Sequence, residues 1–265
     1  MTATSSTSFG EELRNWRLRR RLSQLDLAGE ADLSARHLSF LETGRSRPSR
    51  ATVLKLAAQL DLPLREQNSL LLAAGFAPVH AERRLDDPDL AAARDAVRRI
   101  VDGHQPYPAL AIDRHWTMIE ANAAVARLIE GVDPALLTPP VNVLRLALHP
   151  AGLAARTVDF PLWRAHLLGR LAREAELTGD PKLLDLHAEL EALPAGGPRR
   201  ITSPAPYGGI ALPFRIRVGD EVLSFITTTT VFGGPADVTL SELAIEAFFP
   251  ADEETAAQLR SLALG

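Results

Sequence analysis

The sequence predicts an α+β protein with an all-α N-terminal domain and a C-terminal domain in which helices pack on one face of an antiparallel sheet. Up to Gly75, apolar residues recur at the helical spacings of three and four. From Tyr107 the pattern changes to short alternating runs, and Gly219-Asp220 separates two of them as a two-residue hairpin signal. A length of 265 residues also favours two domains.

The composition excludes several kinds of chemistry. There is no cysteine, which excludes disulfides, thiolate-bound zinc, iron–sulfur clusters and thiol catalysis. The seven histidines lack metal-binding spacing, and neither Gly-x-Ser-x-Gly nor Gly-x-x-x-x-Gly-Lys occurs. We therefore expect that the protein is not an enzyme and that it binds neither a metal nor a cofactor. The absence of a membrane-spanning apolar run and of a signal-like N-terminus predicts a cytoplasmic protein without a membrane partner.

Charge is distributed unevenly along the chain. Residues 1–80 contain eleven basic and eight acidic side chains, a net charge of +3, whereas the remainder contains eighteen against twenty-five, a net charge of −7. A mildly basic head on an acidic body is typical of a protein whose head meets an anionic partner. The alternative is that so small a difference arose by chance.

The head is predicted to form five helices. Four of them follow a serine whose hydroxyl can accept from an unpaired backbone amide, namely Ser8, Ser23, Ser34 and Ser49. The predicted helices are Phe9 to Arg21, QLDLAGE after Ser23, ARHLSFLET after Ser34, Arg50 to Leu60, and Leu64 to Ala74.

The second and third helices form a close pair. Asp32 to Ser34 provide the turn between them, and Gly44 can end the later helix in the left-handed conformation. Arg45, Arg47 and Arg50 follow the end of the later helix. A pair of this length with a polar outer face and a basic exit is what reading the DNA major groove requires.

The same residues carry a resemblance. Gln24 at the start of the first helix of the pair, Ala28 at the crossing, Glu42-Thr43-Gly44 and Pro48-Ser49 resemble the Cro/Xre family of helix-turn-helix repressors. Asp32 departs from that family, which usually has glycine in the turn, but aspartate also enters the left-handed region at modest cost. The resemblance implies a DNA-binding domain over residues 1–76.

We expect the second helix of the pair to read base edges and its surroundings to hold phosphates. Arg36 is the sharpest choice, because a guanidinium can contact guanine O6 and N7 together. One short helix covers few base pairs, so we expect a homodimer on a palindromic operator. The alternative for the arginines is ordinary surface charge. The candidates are Ser34, Ala35, Arg36, His37 and Ser39 for bases, and Gln24, Arg45, Arg47 and Arg50 for phosphates.

After the head, residues 77–106 are predicted to form a linker and a connecting helix, Pro88 to Val101, and residues 107–265 a second domain. Its predicted strands are Pro108 to Ile112, Trp116 to Ala121, Leu212 to Val218, Glu221 to Phe232 and Thr239 to Phe249. Its first predicted helix, AAVARLIEG, is capped by Asn122. The later ones span Val141 to Leu148, Phe160 to Thr178, Pro181 to Leu193 and Asp252 to Leu264.

This second domain also carries a resemblance. The segments GVDPALLTPPVNVLRLALHPAGL, WRAHLLGRL, TGDP and SFITTTTVFGGPADVTLSELAIEAFFPADEET are similar to the C-terminal domain of the MmyB-like family of transcriptional regulators. The resemblance implies a PAS-like domain that binds a small apolar ligand, with fatty acids the leading candidates. It also implies that ligand binding modulates DNA binding.

An aliphatic ligand needs a dry cavity and a polar anchor. The predicted walls are Leu144, Leu148, Trp163, Leu167, Phe225 and Thr227. Either Arg145, or His149 with Asn142, could hold a carboxylate. Two alternatives stay open: these apolar residues could be plain core, and the domain could be a dimerisation or protein-interaction module without a ligand.

Overall fold

A computed structural model of the chain describes residues 8–196, 212–232, 234 and 237–264. The chain divides into two compact units, of which the first ends at Arg83 and the second begins at Arg84. Two short later segments, residues 176–178 and 237–241, belong to the first unit. Among the described residues, no helix is both long and apolar enough to cross a membrane.

The first unit contains the five predicted helices. Ser8, Ser23, Ser34 and Ser49 each accept from the backbone amide three residues later, so all four predicted caps are confirmed. The helices enclose one core that consists mainly of leucines and alanines. They are α1 (Phe9–Arg19), α2 (Gln24–Glu30), α3 (Ala35–Glu42), α4 (Arg50–Gln59) and α5 (Leu64–Ala73).

Two backbone positions shape the α2–α3 pair. Asp32 lies in the left-handed region with φ of 53°, as the turn requires, and Gly44 ends α3 with φ of 72°. A third position brings α1 against the end of α3. A Cβ on Gly10 would lie only 2.4 Å from the carbonyl oxygen of Glu42, so only glycine permits this approach.

The second unit combines five strands with helices. Its strands are β1 (Ala109–Ile112), β2 (Met118–Ala121), β3 (Phe214–Val218), β4 (Glu221–Val231) and β5 (Ala244–Pro250). Its helices include α6 (Ala91–Gly103), α7 (Ala123–Leu128), α8 (Val143–Leu148), α9 (Phe160–Thr178), α10 (Pro181–Glu191) and α12 (Glu253–Leu264), and α11 (Val238–Ser241) lies between β4 and β5 in the chain.

The strands form one antiparallel sheet in the order β2-β1-β5-β4-β3. Val218 pairs with Glu221, so the hairpin predicted at Gly219-Asp220 is confirmed. The last strand in the chain, β5, lies in the middle of the sheet and pairs with β1 on one side and β4 on the other. The α+β fold class predicted from the sequence is confirmed.

The two faces of the sheet are covered differently. Leu110 and Ile112 join a large core with residues of α7, α8, α9 and α10. Ala109 and Ala111 alternate with them and therefore face the other way. That second face is covered at β1 and β2 by α6, whose Val97 and Val101 are buried. The sheet thus carries most of its helices on one face, as predicted, and α6 on the other.

Two local predictions are wrong. The strand predicted from Thr239 begins only at Ala244, because Asp237 accepts a hydrogen bond from the backbone amide of Thr239 (2.9 Å) and starts the short helix α11. Asn122 precedes α7 but does not cap it with its side chain. Its amide instead donates to the carbonyls of Val101 and Tyr107, which satisfies buried backbone groups near β1.

Candidate functional site

A buried ion pair fixes the end of α3 against α1. The guanidinium of Arg17 donates to both carboxylate oxygens of Glu42, at 2.6 and 3.0 Å, and to the carbonyl of Leu22 at 2.9 Å. The side chain of Gln24 also donates to Glu42, at 2.7 Å. Burial raises the pKa of Glu42, but the hydrogen bonds from Arg17 and Gln24 outweigh it, so this pKa lies below its ordinary value.

This network bears on the phosphate contact predicted for Gln24. The residue opens α2, as predicted, but its amide is engaged with Glu42. With its amide donating to Glu42, Gln24 orients α3 through that carboxylate. A phosphate contact from Gln24 would have to use its remaining donor.

The candidates on α3 differ in exposure. Arg36 is exposed at the first turn, and the Ser34 hydroxyl accepts from the backbone amide of His37 at 3.1 Å. Ala35 is half-buried against the core of the unit. His37 and Ser39 are half-buried as well. The structure therefore groups the five predicted base-contacting residues at the cap and in the first turns of one helix, where Ser34 and Arg36 are exposed.

Phe40, which from the sequence could either touch a thymine methyl group or simply pack, lies one helical turn after Arg36 on α3. The guanidinium of Arg36 lies 5.3 Å from its ring centroid, and that of Arg45 lies 5.9 Å away. Cation–π contact restricts both side chains at the surface of α3. The spacing of Arg36 and Phe40 by one helical turn indicates in the sequence that their side chains can meet. Arg47 and Arg50 are exposed beyond the end of α3, as a phosphate contact requires.

The second unit contains a cavity of about 90 Å³ between α7, α8, α9 and the sheet. Its walls are mainly aliphatic and aromatic, and its few polar groups lie together. The lining residues are Leu110, Trp116, Val125, Leu128, Ile129, Val143, Leu144, Leu146, Ala147, Leu153, Trp163, His166, Leu167, Arg170, Phe214, Thr227, Glu246 and Phe248.

Four of the nine predicted ligand residues line this cavity: Leu144, Trp163, Leu167 and Thr227. Leu148 and Phe225 are fully buried and belong to the surrounding core, the alternative that the sequence left open.

None of the three predicted carboxylate anchors lines the cavity. Arg145 forms a bidentate pair with Glu189 at 2.7 and 2.6 Å, on the surface. Asn142 caps α8, where its side chain accepts from the amides of Leu144 and Arg145. His149 follows α8, and its Nδ1 accepts from the amide of Ala151.

The polar end of the cavity is built around Arg170 of α9. Its guanidinium donates to Glu246 of β5 at 2.7 Å and to Glu174 at 3.3 Å, and it lies 4.5 Å from the ring centroid of Trp116. The Trp116 indole in turn donates to Glu174 at 2.8 Å. Burial opposes the charge on Arg170, but Glu246 and Glu174 outweigh it and raise the pKa of this residue.

Two neighbours of Arg170 have displaced pKa values. Burial raises the pKa of Glu174. Burial, together with the charges of Arg170 and Arg173, lowers the pKa of His166, which lines the cavity. The sequence analysis missed this cluster because Arg170 and Glu246 are 76 positions apart and meet only through the fold. Only the helical spacing of Arg170 and Glu174 was readable beforehand.

A wider, open cleft of about 580 Å³ lies in the second unit beside α6 and β2. Its arginines already have partners: Arg84 contacts Asp86 at 2.9 Å and Arg98 contacts Glu120 at 3.4 Å. Arg94 donates to the carbonyls of Leu85 and Asp87. The smaller apolar cavity, which is enclosed by core residues, is therefore the better ligand candidate.

Two sequence families match the chain. The MmyB-like transcription regulator ligand binding domain matches residues 93–262, more than half of the chain, including the cavity residues. The helix-turn-helix family matches residues 13–67, which include α2, α3 and α4. No curated protein matches the chain.

Proposed function

The chain belongs to the MmyB-like transcription regulators, the family its sequence predicts, and from this premise we propose that a small, fatty-acid-like ligand in the second unit modulates operator binding by a homodimer. At the coarser level, the chain combines a DNA-binding domain with a ligand-binding domain, which is the organisation of a ligand-responsive transcription regulator. The fatty-acid-like character of the ligand, the symmetry of the operator and the dimer are our extensions of that statement.

The observation that carries the ligand proposal is the cavity behind α8 and α9. Apolar walls with one polar end suit a molecule that has an aliphatic chain and a polar head. The leucines of α8 and the aromatic side chains of α9 and β3 would contact the chain. Trp163 stacks on Phe214 with ring centroids 4.9 Å apart, which gives this wall a defined shape.

The size of the cavity suggests how a ligand would act. About 90 Å³ is smaller than the roughly 300–1,000 Å³ of ordinary ligand pockets. A long aliphatic chain must therefore push wall side chains apart. Since these side chains belong to the packed core of the unit, binding would favour a different arrangement of its helices. Such differential affinity for two arrangements is what shifts an equilibrium.

Native mass spectrometry of the purified full chain tests the ligand and the dimer together. We expect a dimer mass with an adduct of fatty-acid size that disappears on denaturation. A dimer without an adduct, even after incubation with dodecanoate and dodecanol, would favour the alternative in which the second unit only mediates dimerisation. A monomer at DNA-binding concentrations would contradict the paired half-sites.

The DNA side is tested by selecting duplexes from a random library and comparing two arginine variants. Arg36→Ala should relax the preference at one base position in each half-site, at about 1–3 kcal/mol of lost discrimination. Arg50→Ala should weaken binding to all duplexes alike and reduce its salt dependence, as loss of a phosphate contact does. An Arg36 variant with unchanged base preference would show that another residue reads that position.

A further inference from the structure

The guanidinium at the polar end of the cavity is already paired with carboxylates of the protein. Arg170 is the one cation among the residues that line the cavity in the described part of the chain. Two carboxylates contact it, Glu246 at 2.7 Å and Glu174 at 3.3 Å. Glu246 also accepts from the Thr229 hydroxyl at 3.0 Å. The charge of Arg170 is therefore balanced within the protein.

A ligand carboxylate would meet an unfavourable site here. To reach Arg170 it must either share the guanidinium with Glu246 or displace it. Two carboxylates at hydrogen-bonding distance from one cation repel each other and resist joint ionisation. Displacement would leave Glu246, whose side chain is 9% exposed, as a largely buried anion with the Thr229 hydroxyl but without its cationic partner.

An uncharged head has suitable partners at the same end. Thr227, which carries a hydroxyl, and His166, which carries an imidazole, both line the cavity. Neither side chain forms a hydrogen bond within the described residues. Because burial lowers the pKa of His166, its ring is neutral at pH 8 and offers one donor and one acceptor. These groups can satisfy a hydroxyl without disturbing Arg170.

We propose that the cavity selects a long-chain ligand with an uncharged, hydrogen-bonding head, of the long-chain alcohol class, and discriminates against the corresponding carboxylate. Glu246 is the specificity-determining residue, because its carboxylate occupies Arg170 and repels a second anion. The proposal rests on the proposed function of the cavity as the site of a chain-like ligand. It specifies the head group that the site accepts.

The test compares dodecanol with dodecanoate at pH 8 by competition for binding to the full chain, with dodecanoate below its critical micelle concentration and dodecanol below its solubility limit. We expect dodecanol to bind at least about tenfold more tightly. In Glu246→Gln, which keeps a hydrogen-bonding group but removes the negative charge, the preference should shrink or reverse. Dodecanamide should follow dodecanol in the unchanged protein, which tests the charge argument without any variant.

Glu120→Gln is the matched control, since Glu120 is also a strand glutamate paired with a helix arginine, Arg98, but lies away from the cavity. Its preference should equal that of the unchanged chain. If dodecanoate binds as tightly as dodecanol to the unchanged chain, the head-group proposal is wrong while the ligand function stands. If Glu246→Gln keeps the full preference, Glu246 is not its cause. If no chain-like probe binds, both proposals are wrong.

Discussion

Glu42 joins three parts of the DNA-binding unit through one carboxylate. It receives hydrogen bonds from Arg17 on α1 and Gln24 on α2, and it lies in the last turn of α3. The side chains of Arg17 and Glu42 are 8% and 2% exposed. Removing one member of such a buried pair leaves the other charge uncompensated, which costs more than a surface contact.

We therefore expect Glu42→Ala to lower the free energy of unfolding of the first unit by about 3 kcal/mol. Native-state hydrogen exchange of α1 to α3 measures this locally, without assuming that the two units unfold together. The exposed Glu30→Ala on α2 is the control, with an expected change within about 0.5 kcal/mol. Equal protection in the two variants would show that the Arg17–Glu42 pair contributes little.

Asp180 is the corresponding residue of the second unit. It caps α10 by accepting from the Lys182 amide at 2.9 Å, and it contacts Arg114 and His115. Burial raises the pKa of Asp180, but the hydrogen bonds from Arg114, His115 and the Lys182 backbone outweigh it and lower that pKa to about 2. Its charge therefore stabilises the fold fully above the ordinary carboxyl pKa and stops doing so as the pH falls through about 2.

Asp180→Asn isolates this charge, because asparagine can also cap a helix. We expect the variant to be less stable than the parent by about 1–2 kcal/mol at pH 7. The difference should narrow as the pH falls from 4 to 2. Urea unfolding followed by tryptophan fluorescence in a Trp16→Phe background measures the second unit, where the other two tryptophans lie. A difference that stays constant down to pH 2 would contradict the lowered pKa.

At the scale of elements, the end of α3 depends on the conformation of a single glycine. Gly44 has φ of 72°, and an added Cβ would meet nothing within 4 Å. A substitution there tests backbone strain without a clash. Gly29, inside α2, has the same free space without a positive φ. The two glycines therefore form a matched pair.

We expect Gly44→Ala to destabilise the first unit by about 1 kcal/mol, because an alanine disfavours the left-handed region. Gly29→Ala should instead stabilise the unit by up to about 1 kcal/mol, since it replaces glycine within a helix. Thermal unfolding of the two variants, with hydrogen exchange of α2 and α3, measures both. Changes of the same sign at the two positions would contradict this assignment of their backbone roles.

The elements also show what the sequence could predict. The serine caps and the Gly219-Asp220 hairpin were readable because each depends on residues within a few positions. The start of β5 was misjudged because the Asp237 cap competes locally with an alternating pattern. The walls of the cavity could be predicted only in part. Helical spacing shows which residues are buried, but not whether they surround a space.

The anchors could not be predicted for a physical reason. Arg145 looked available in the sequence, but α10 presents Glu189 to it. Arg170 and Glu246 are brought together by the packing of α9 on β5, a contact between distant segments. No local pattern encodes that contact. The contacts of Phe40 with Arg36 and Arg45 were easier to predict, since all three residues lie within ten positions of one another.

At the scale of the whole molecule, we propose that ligand binding in the second unit changes the affinity of the first for DNA. A cavity of about 90 Å³ gives this claim a physical basis, because a chain-like ligand can enter only if core side chains rearrange. Coupling of this kind is reciprocal, so DNA binding must also change the affinity for the ligand.

Filling the cavity should break this coupling. Ala147 lines the cavity on α8 and is half-buried, and a phenylalanine there would occupy much of its volume. We expect Ala147→Phe to lose binding of dodecanol while it retains binding to DNA. The variant thus separates an effect of the bound ligand from any direct action of the probe on the DNA-binding unit.

The most direct test is the affinity of the full chain for a selected duplex, measured by fluorescence anisotropy with and without saturating dodecanol, in the unchanged protein and in Ala147→Phe. We expect a change in Kd of at least about fivefold in the unchanged chain and none in the variant. If dodecanol is bound and the Kd for DNA stays the same, the two units are not coupled through this cavity and the central claim is wrong.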